Sequence, residues 1–186
     1  MSDNLNKILE ANINYSKEYG IKSEFTAPPR RKIAILTCMD ARLNPSSFAG
    51  LKEGDAHVIR NAGGRASRDA IRSLVISYKM LGTNEWYVIH HTDCGMASFT
   101  NDTMVNNFSN EEEKKILKDD IGAMQAAKEL DWLTFNDPAE SLIDDVKTIR
   151  NNPMVPGNIP IYGFLFNVKS GKLEEIEEAN KAGRVL

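Results

Sequence analysis

Apolar residues along this chain fall into two rhythms that alternate. Residues 4–18 place Leu5, Ile8, Leu9 and Ile13 at spacings of three and four, the stripe of an amphipathic helix, with Gly20 as its stop. Ala27-Pro28-Pro29 breaks that pattern and leads into Lys32–Thr37, a continuous apolar run that reads as a strand buried on both faces. A second strand is expected over Asp55–Arg60, followed by the turn Asn61-Ala62-Gly63-Gly64. Ser67–Leu81 returns to the helical period through Ile71, Leu74, Val75 and Tyr78, and Gly82 ends it. Glu85–His90 is a third strand, and a further helix is expected to begin near Gly95.

Residues 99–152 read as a polar, mostly helical insertion. Ser109-Asn110-Glu111-Glu112 is a capping pattern. Asp137-Pro138-Ala139-Glu140 opens a helix whose stripe is Leu142, Ile143, Val146 and Ile149, and Asn151-Asn152-Pro153 ends it. Ile159–Val168, the turn Ser170-Gly171 and Lys172–Ile176 make a strand, a turn and a strand. Strands alternating with helices predict an α/β fold: a central, mostly parallel β-sheet with flanking helices and a C-terminal edge hairpin. At 186 residues the expectation is one domain, 1–186. Within it lie an N-terminal helical arm (1–26), a core (27–98), a helical insertion (99–157) and C-terminal strands with a tail (158–186).

Composition narrows the function classes. A net charge of -3 provides no basic field for nucleic acid or an anionic membrane. The first twenty residues carry Asp3, Lys7, Glu10, Lys17 and Glu18 with no apolar core, so no signal peptide is expected, and no run is long enough to span a membrane. A cytoplasmic, reducing location follows, which turns attention from a disulfide to the metal chemistry of the two cysteines.

Those cysteines, Cys38 and Cys94, sit with His91 just past strand ends. Strands joined by a right-handed crossover run in the same direction, so their carboxyl ends share one edge of the sheet, where α/β proteins bind ligands. Two thiolates and an imidazole suit Zn2+, and three protein ligands leave a position open for chemistry. A zinc site is therefore preferred over a disulfide or packed core cysteines. Cys94 at a helix amino terminus would have its thiolate stabilised by the helix dipole. If the chain stays extended after Cys38, Asp40 and Arg42 share its side. Asp40 could then ligate the metal as a fourth ligand or accept from its water, with Arg42 holding Asp40 in a two-pronged pair. His57 and His90 could each shuttle protons, but a buried, hydrogen-bonded role is the expectation for both. The Asn61–Gly64 loop lacks the glycine and lysine pattern of a phosphate loop and reads as a tight turn.

Cys38-Met39-Asp40-Ala41-Arg42 and His91-Thr92-Asp93-Cys94-Gly95, with Arg60-Asn61-Ala62-Gly63 between them, resemble the β-class carbonic anhydrases. The likeness is strong over roughly residues 30–100 and looser over the terminal strands. It implies zinc held by Cys38, His91 and Cys94, and a catalytic Asp40–Arg42 dyad in which Asp40 receives a hydrogen bond from the zinc-bound water or ligates zinc in a closed state. It also implies reversible hydration of carbon dioxide to bicarbonate by a zinc-bound hydroxide, in a homodimer or an assembly of dimers. Ile35 stands where bicarbonate-regulated members carry Trp, which argues against such regulation here. The His90–Met96 segment and short length resemble a compact branch that includes carbonyl sulfide and carbon disulfide hydrolases. A non-catalytic zinc-stabilised binding module is the remaining reading.

Overall fold

The computed structural model describes residues 2–186; Met1, the first residue of the expected N-terminal arm, lies outside them. Helix α1 (Asp3–Lys17) precedes strand β1 (Ile33–Cys38), the short helix α2 (Pro45–Phe48), β2 (Ala56–Asn61), α3 (Arg68–Lys79) and β3 (Glu85–His91). Helices α4 (Asn101–Asn107), α5 (Glu111–Lys114), α6 (Asp120–Glu129) and α7 (Pro138–Arg150) follow. Strands β4 (Ile161–Phe166) and β5 (Leu173–Glu175) and helix α8 (Glu177–Ala182) complete the fold.

The five strands form one sheet in the order β2-β1-β3-β4-β5. β1 pairs in parallel with β2 and β3, and β3 with β4, while β5 turns back antiparallel along β4. This is the α/β architecture with an edge hairpin that the alternating rhythms predict. β1 is buried at every position because β2 and β3 flank it and both faces of the sheet are covered there.

The two faces differ. Ala34, Leu36, Trp86 and Val88 pack against Ile71 and Leu74 of α3 and Leu142, Val146 and Ile149 of α7, the larger core. Ile35, Ile89 and Phe166 point the other way into a smaller cluster with Leu43, Cys38 and Cys94. The cap read from sequence at Asp137 is in place: its Oδ1 accepts from Ala139 N and Glu140 N at 2.7 and 2.8 Å. Ser67, not anticipated as a cap, also caps its helix, with Oγ accepting from Ala70 N at 3.2 Å.

Two local expectations give way, and one element is unforeseen. No α-helix starts at Gly95: Gly95–Ala97 is a single 3-10 turn, and the next helix begins at Asn101. Ser98 Oγ donates to Gly95 O at 2.6 Å, and Thr100 caps α4 through Thr103 N at 3.2 Å, so side chains occupy the backbone groups a continuing helix would need. The capping pattern expected to open at Ser109 shifts by one residue: Asn110 caps α5, its Oδ1 accepting from Glu112 N at 2.9 Å, while Ser109 Oγ donates back to Asn106 O at 2.7 Å. Finally, α8 was not anticipated, because a six-residue charged helix has no apolar stripe to announce it. It docks through Ala179 at Gly163 of β4, where an added Cβ would come within 2.5 Å of the Ala179 Cβ.

Candidate metal centre

β1 ends on Cys38 and β3 ends on His91, and the two strands are parallel neighbours, so both residues reach the same edge of the sheet. Cys94 returns to that edge three residues later because Asp93 takes a left-handed conformation (φ 54°), which aspartate tolerates better than most side chains. The ligand atoms of Cys38, His91 and Cys94 all lie within 4.8 Å of one another. The two Sγ atoms are 4.0 Å apart, free thiols rather than a disulfide. All three residues are buried.

His91 Nδ1 donates to Thr92 O at 2.9 Å, which leaves the Nε2 lone pair as the free face of the ring. Nε2 is buried with no hydrogen-bond partner. An unpaired buried polar atom is costly, and one aimed with two thiols into a common space fits a soft or borderline cation. The thiols themselves point the same way. The hydrogen bond from Cys94, together with His91, holds the Cys38 thiol well below its ordinary value against the opposing effect of burial. Sharing that proton pushes Cys94 up. Burial alone would lower His91, but the Cys38 thiolate outweighs it and moves the imidazole up. A divalent ion would replace the shared protons and take both sulfurs as thiolates. The residues present therefore fit a metal site.

Asp40 and Arg42 do meet, though not along an extended strand. The chain turns after Cys38, with Leu43 N donating to Asp40 O at 3.0 Å. That turn folds Arg42 back on Asp40: Nε donates to Oδ1 at 3.0 Å, Nη2 to Oδ2 at 2.8 Å, and the Arg42 backbone N to Oδ1 at 2.9 Å. These bonds hold the Asp40 carboxyl well below the usual carboxylate range. Asp40 Oδ2 lies 3.8 Å from His91 Nε2, facing the same space as the candidate ligands.

Two contributors were not singled out from sequence. Asp93 accepts from Arg42 Nη1 at 2.7 Å and, through its carbonyl, from Nη2 at 2.8 Å, tying the two motifs together. Its place between His91 and Cys94 and its charge opposite to Arg42 were the available signals. Arg60 donates to Cys38 O at 3.0 Å and to Asp40 O at 2.7 Å, fixing the backbone that carries both. The remaining histidines are engaged elsewhere. His57 Nδ1 lies 2.7 Å from Ser77 Oγ and its Nε2 lies 3.0 Å from Ala27 O, while His90 is fully buried on the far face of the sheet. As for Asn61–Gly64, it is a tight turn pressed on β1, where a Cβ at Gly64 (φ 71°) would meet Cys38 N at 2.9 Å.

The family model described as carbonic anhydrase matches residues 33–173. Beta-carbonic anhydrase 1 of Mycobacterium bovis is 39% identical over 170 residues, covering 90% of this chain and 94% of its own length. The carbon disulfide hydrolase of Acidithiobacillus thiooxidans is 33% identical over 186 residues, covering 91% and 89%. The solved structure of a carbonic anhydrase from Glaciozyma antarctica superposes with a TM-score of 0.83 at 42% identity, covering 94% of this chain and 99% of that one. This chain belongs to the β-carbonic anhydrase family of enzymes.

Proposed function

We propose that the chain catalyses the reversible hydration of carbon dioxide to bicarbonate at a zinc ion held by Cys38, His91 and Cys94. The observation that carries this reading is the convergence of two thiols and an unpartnered imidazole nitrogen beside a carboxylate clamped by arginine. When bound, zinc supplies Lewis acidity that brings the pKa of water from ~15.7 to about 7.

The chain's own residues do the rest. Asp40, kept ionised by Arg42, is an acceptor only, so it takes a hydrogen bond from the attacking water and directs that oxygen's lone pair at the substrate carbon. Both Asp40 oxygens are engaged by Arg42, which favours the acceptor role in the resting state. Ligation by Asp40 belongs to a closed state in which that clamp opens. Met96, Phe48 and Phe135 pack against the cluster that contains both cysteines, an apolar surround suited to a linear, apolar substrate. His57 is held by Ser77 and Ala27 and His90 is fully buried on the far face of the sheet, so neither carries the proton, which passes to solvent by exchange with water.

We assign the working form to a homodimer. None of the fifteen residues of α1 is buried, although Leu5, Ile8, Leu9 and Ile13 form its stripe. The outer face of the sheet likewise leaves Val58 and Tyr162 exposed beside an apolar cavity of about 140 Å³ lined by Ile35, Leu51, Tyr87, Ile89 and Phe164. A second copy can cover both. The two free thiols suit a reducing compartment, and we place the protein in the cytoplasm as one domain. Among the described residues no helix is long and apolar enough to cross a membrane.

Hydrolysis of carbonyl sulfide or carbon disulfide by the same centre is the second reading, favoured by the 33% identical carbon disulfide hydrolase. Zinc-loaded protein assayed side by side on the three substrates separates them, with carbon dioxide expected to turn over fastest. Sulfide release without hydration would move the assignment to the second reading. Stoichiometric zinc with no turnover on any substrate would leave a binding module. In the same assay Asp40→Asn should keep its zinc and lose about 100-fold or more in turnover, the scale of a positioned proton acceptor.

A further inference from the structure

Behind the candidate metal centre, on the helix-covered face of the sheet, lies a buried charge cluster that the proposed reaction does not use. Asp145 of α7 is 4% exposed. Its carboxylate accepts from Arg65 Nε at 2.7 Å and Arg65 Nη2 at 3.2 Å. It also lies 3.1 Å from His90 Nε2, with the ring turned off the line of an ideal hydrogen bond. His90 Nδ1 is 3.3 Å from Pro138 O, and its ring stacks on Phe135 with centroids 5.9 Å apart. The Arg65 guanidinium covers the same Phe135 ring at 5.4 Å.

Each arm of this cluster leads to one candidate ligand. Arg65 follows the Gly63-Gly64 turn, and Asn61 locks that turn by accepting from Arg65 N at 2.7 Å and donating to Arg65 O at 2.8 Å. Gly64 lies so close to β1 that an added Cβ would meet Cys38 N at 2.9 Å, and Met39 N donates to Asn61 O at 2.9 Å. Holding Arg65 therefore seats the turn against the backbone of Cys38. His90 is the strand neighbour of His91, and successive strand side chains point to opposite faces, so fixing one ring from behind fixes the strand twist that aims the other. An apolar filling would stabilise such a site about as well as a buried ion pair, so stability alone is a weak reason for a carboxylate here.

We propose that Asp145 is a positioning residue of the metal centre: remote from the ligands, it sets the separation of Cys38 and His91 by anchoring the turn behind one and the ring beside the other. This rests on the reading of Cys38, His91 and Cys94 as a metal site. The test compares the full-length parent with Asp145→Asn by zinc–chelator competition and by the electronic spectrum of the cobalt(II)-loaded protein, which reports ligand geometry. We expect zinc binding weaker by up to about tenfold, the low end of the scale for groups that touch the ligands directly, and a changed cobalt spectrum with an unchanged far-ultraviolet circular dichroism. A folded Asp145→Asn with the parent's affinity and spectrum overturns the proposal. Should that variant not fold, Arg65→Lys takes its place, since it keeps the charge and loses the fork. The same changes, smaller in size, support the proposal, and parent-like values overturn it. A parent that takes up neither metal overturns the metal-site reading itself, and this one with it.

Discussion

Arg42 is where the two motifs of the site meet, with one carboxylate from each side on its guanidinium. It is nearly half exposed, so its contribution is orientation of Asp40 more than stability. Arg42→Lys, which cannot form the two-pronged pair, should lower turnover about tenfold or more while the melting temperature stays near the parent's. Stopped-flow hydration and thermal unfolding check the two halves. Asp145 is the opposite case, a buried carboxylate. Burial pushes its pKa up, yet the contacts from His90 and Arg65 outweigh burial and set it below the ordinary value. A depressed carboxylate contributes stability that is fully present above the unfolded value of about 3.9 and is lost as pH falls through the folded value. The stability gap between parent and Asp145→Asn, roughly 3–5 kcal/mol for a broken buried pair, should therefore hold from neutral pH down to about 4 and shrink as pH falls further towards the folded value. Urea titrations across that range measure it; a gap that grows on acidification, or shows no decrease by about pH 3, contradicts the assignment.

At the level of elements, α7 carries most of the support for the sheet behind the site. Its Leu142, Val146 and Ile149 are fully buried against β3 and β4. Leu142→Ala should cost about 2–5 kcal/mol in denaturant unfolding, because the removed atoms leave a cavity that the packed sheet cannot close. The stripe that names these residues was visible as a period of three and four, and the cap at Asp137 as an Asp-Pro pair. α8 and the turn at Gly95 were not legible. Both depend on competition between local options: the hydroxyls of Ser98 and Thr100 against a continuing helix, and the room left by Gly163 for a helix too short to hold itself together.

For the whole molecule, the unburied stripe of α1 and the open outer face of the sheet lead to one expectation. The intact chain should sediment as a dimer, and removal of residues 2–17 should shift it towards monomer. A truncated chain that remains fully dimeric would place the contact elsewhere. Loss of α1 should leave the β1–β3 strand edges and their metal content intact, because no residue of that helix is buried within its own chain.

Sequence alone determined the strands, the helices α1, α3 and α7 and the cap at Asp137, since periodicity and turn chemistry act over a few residues and need no partner. It also brought the two thiols and the imidazole to one place, because parallel crossovers force strand ends onto one edge, and it paired Asp40 with Arg42, although a turn rather than an extended run makes that contact. Tertiary structure decided the rest. The 4.0 Å approach of the sulfurs, the unpaired His91 nitrogen, the grip of Arg42 on Asp93 and the bond from Arg65 to Asp145, 80 residues away, are set by strand order and helix docking. Contacts of that kind depend on where whole elements come to rest, and local sequence rules carry no information about that distance.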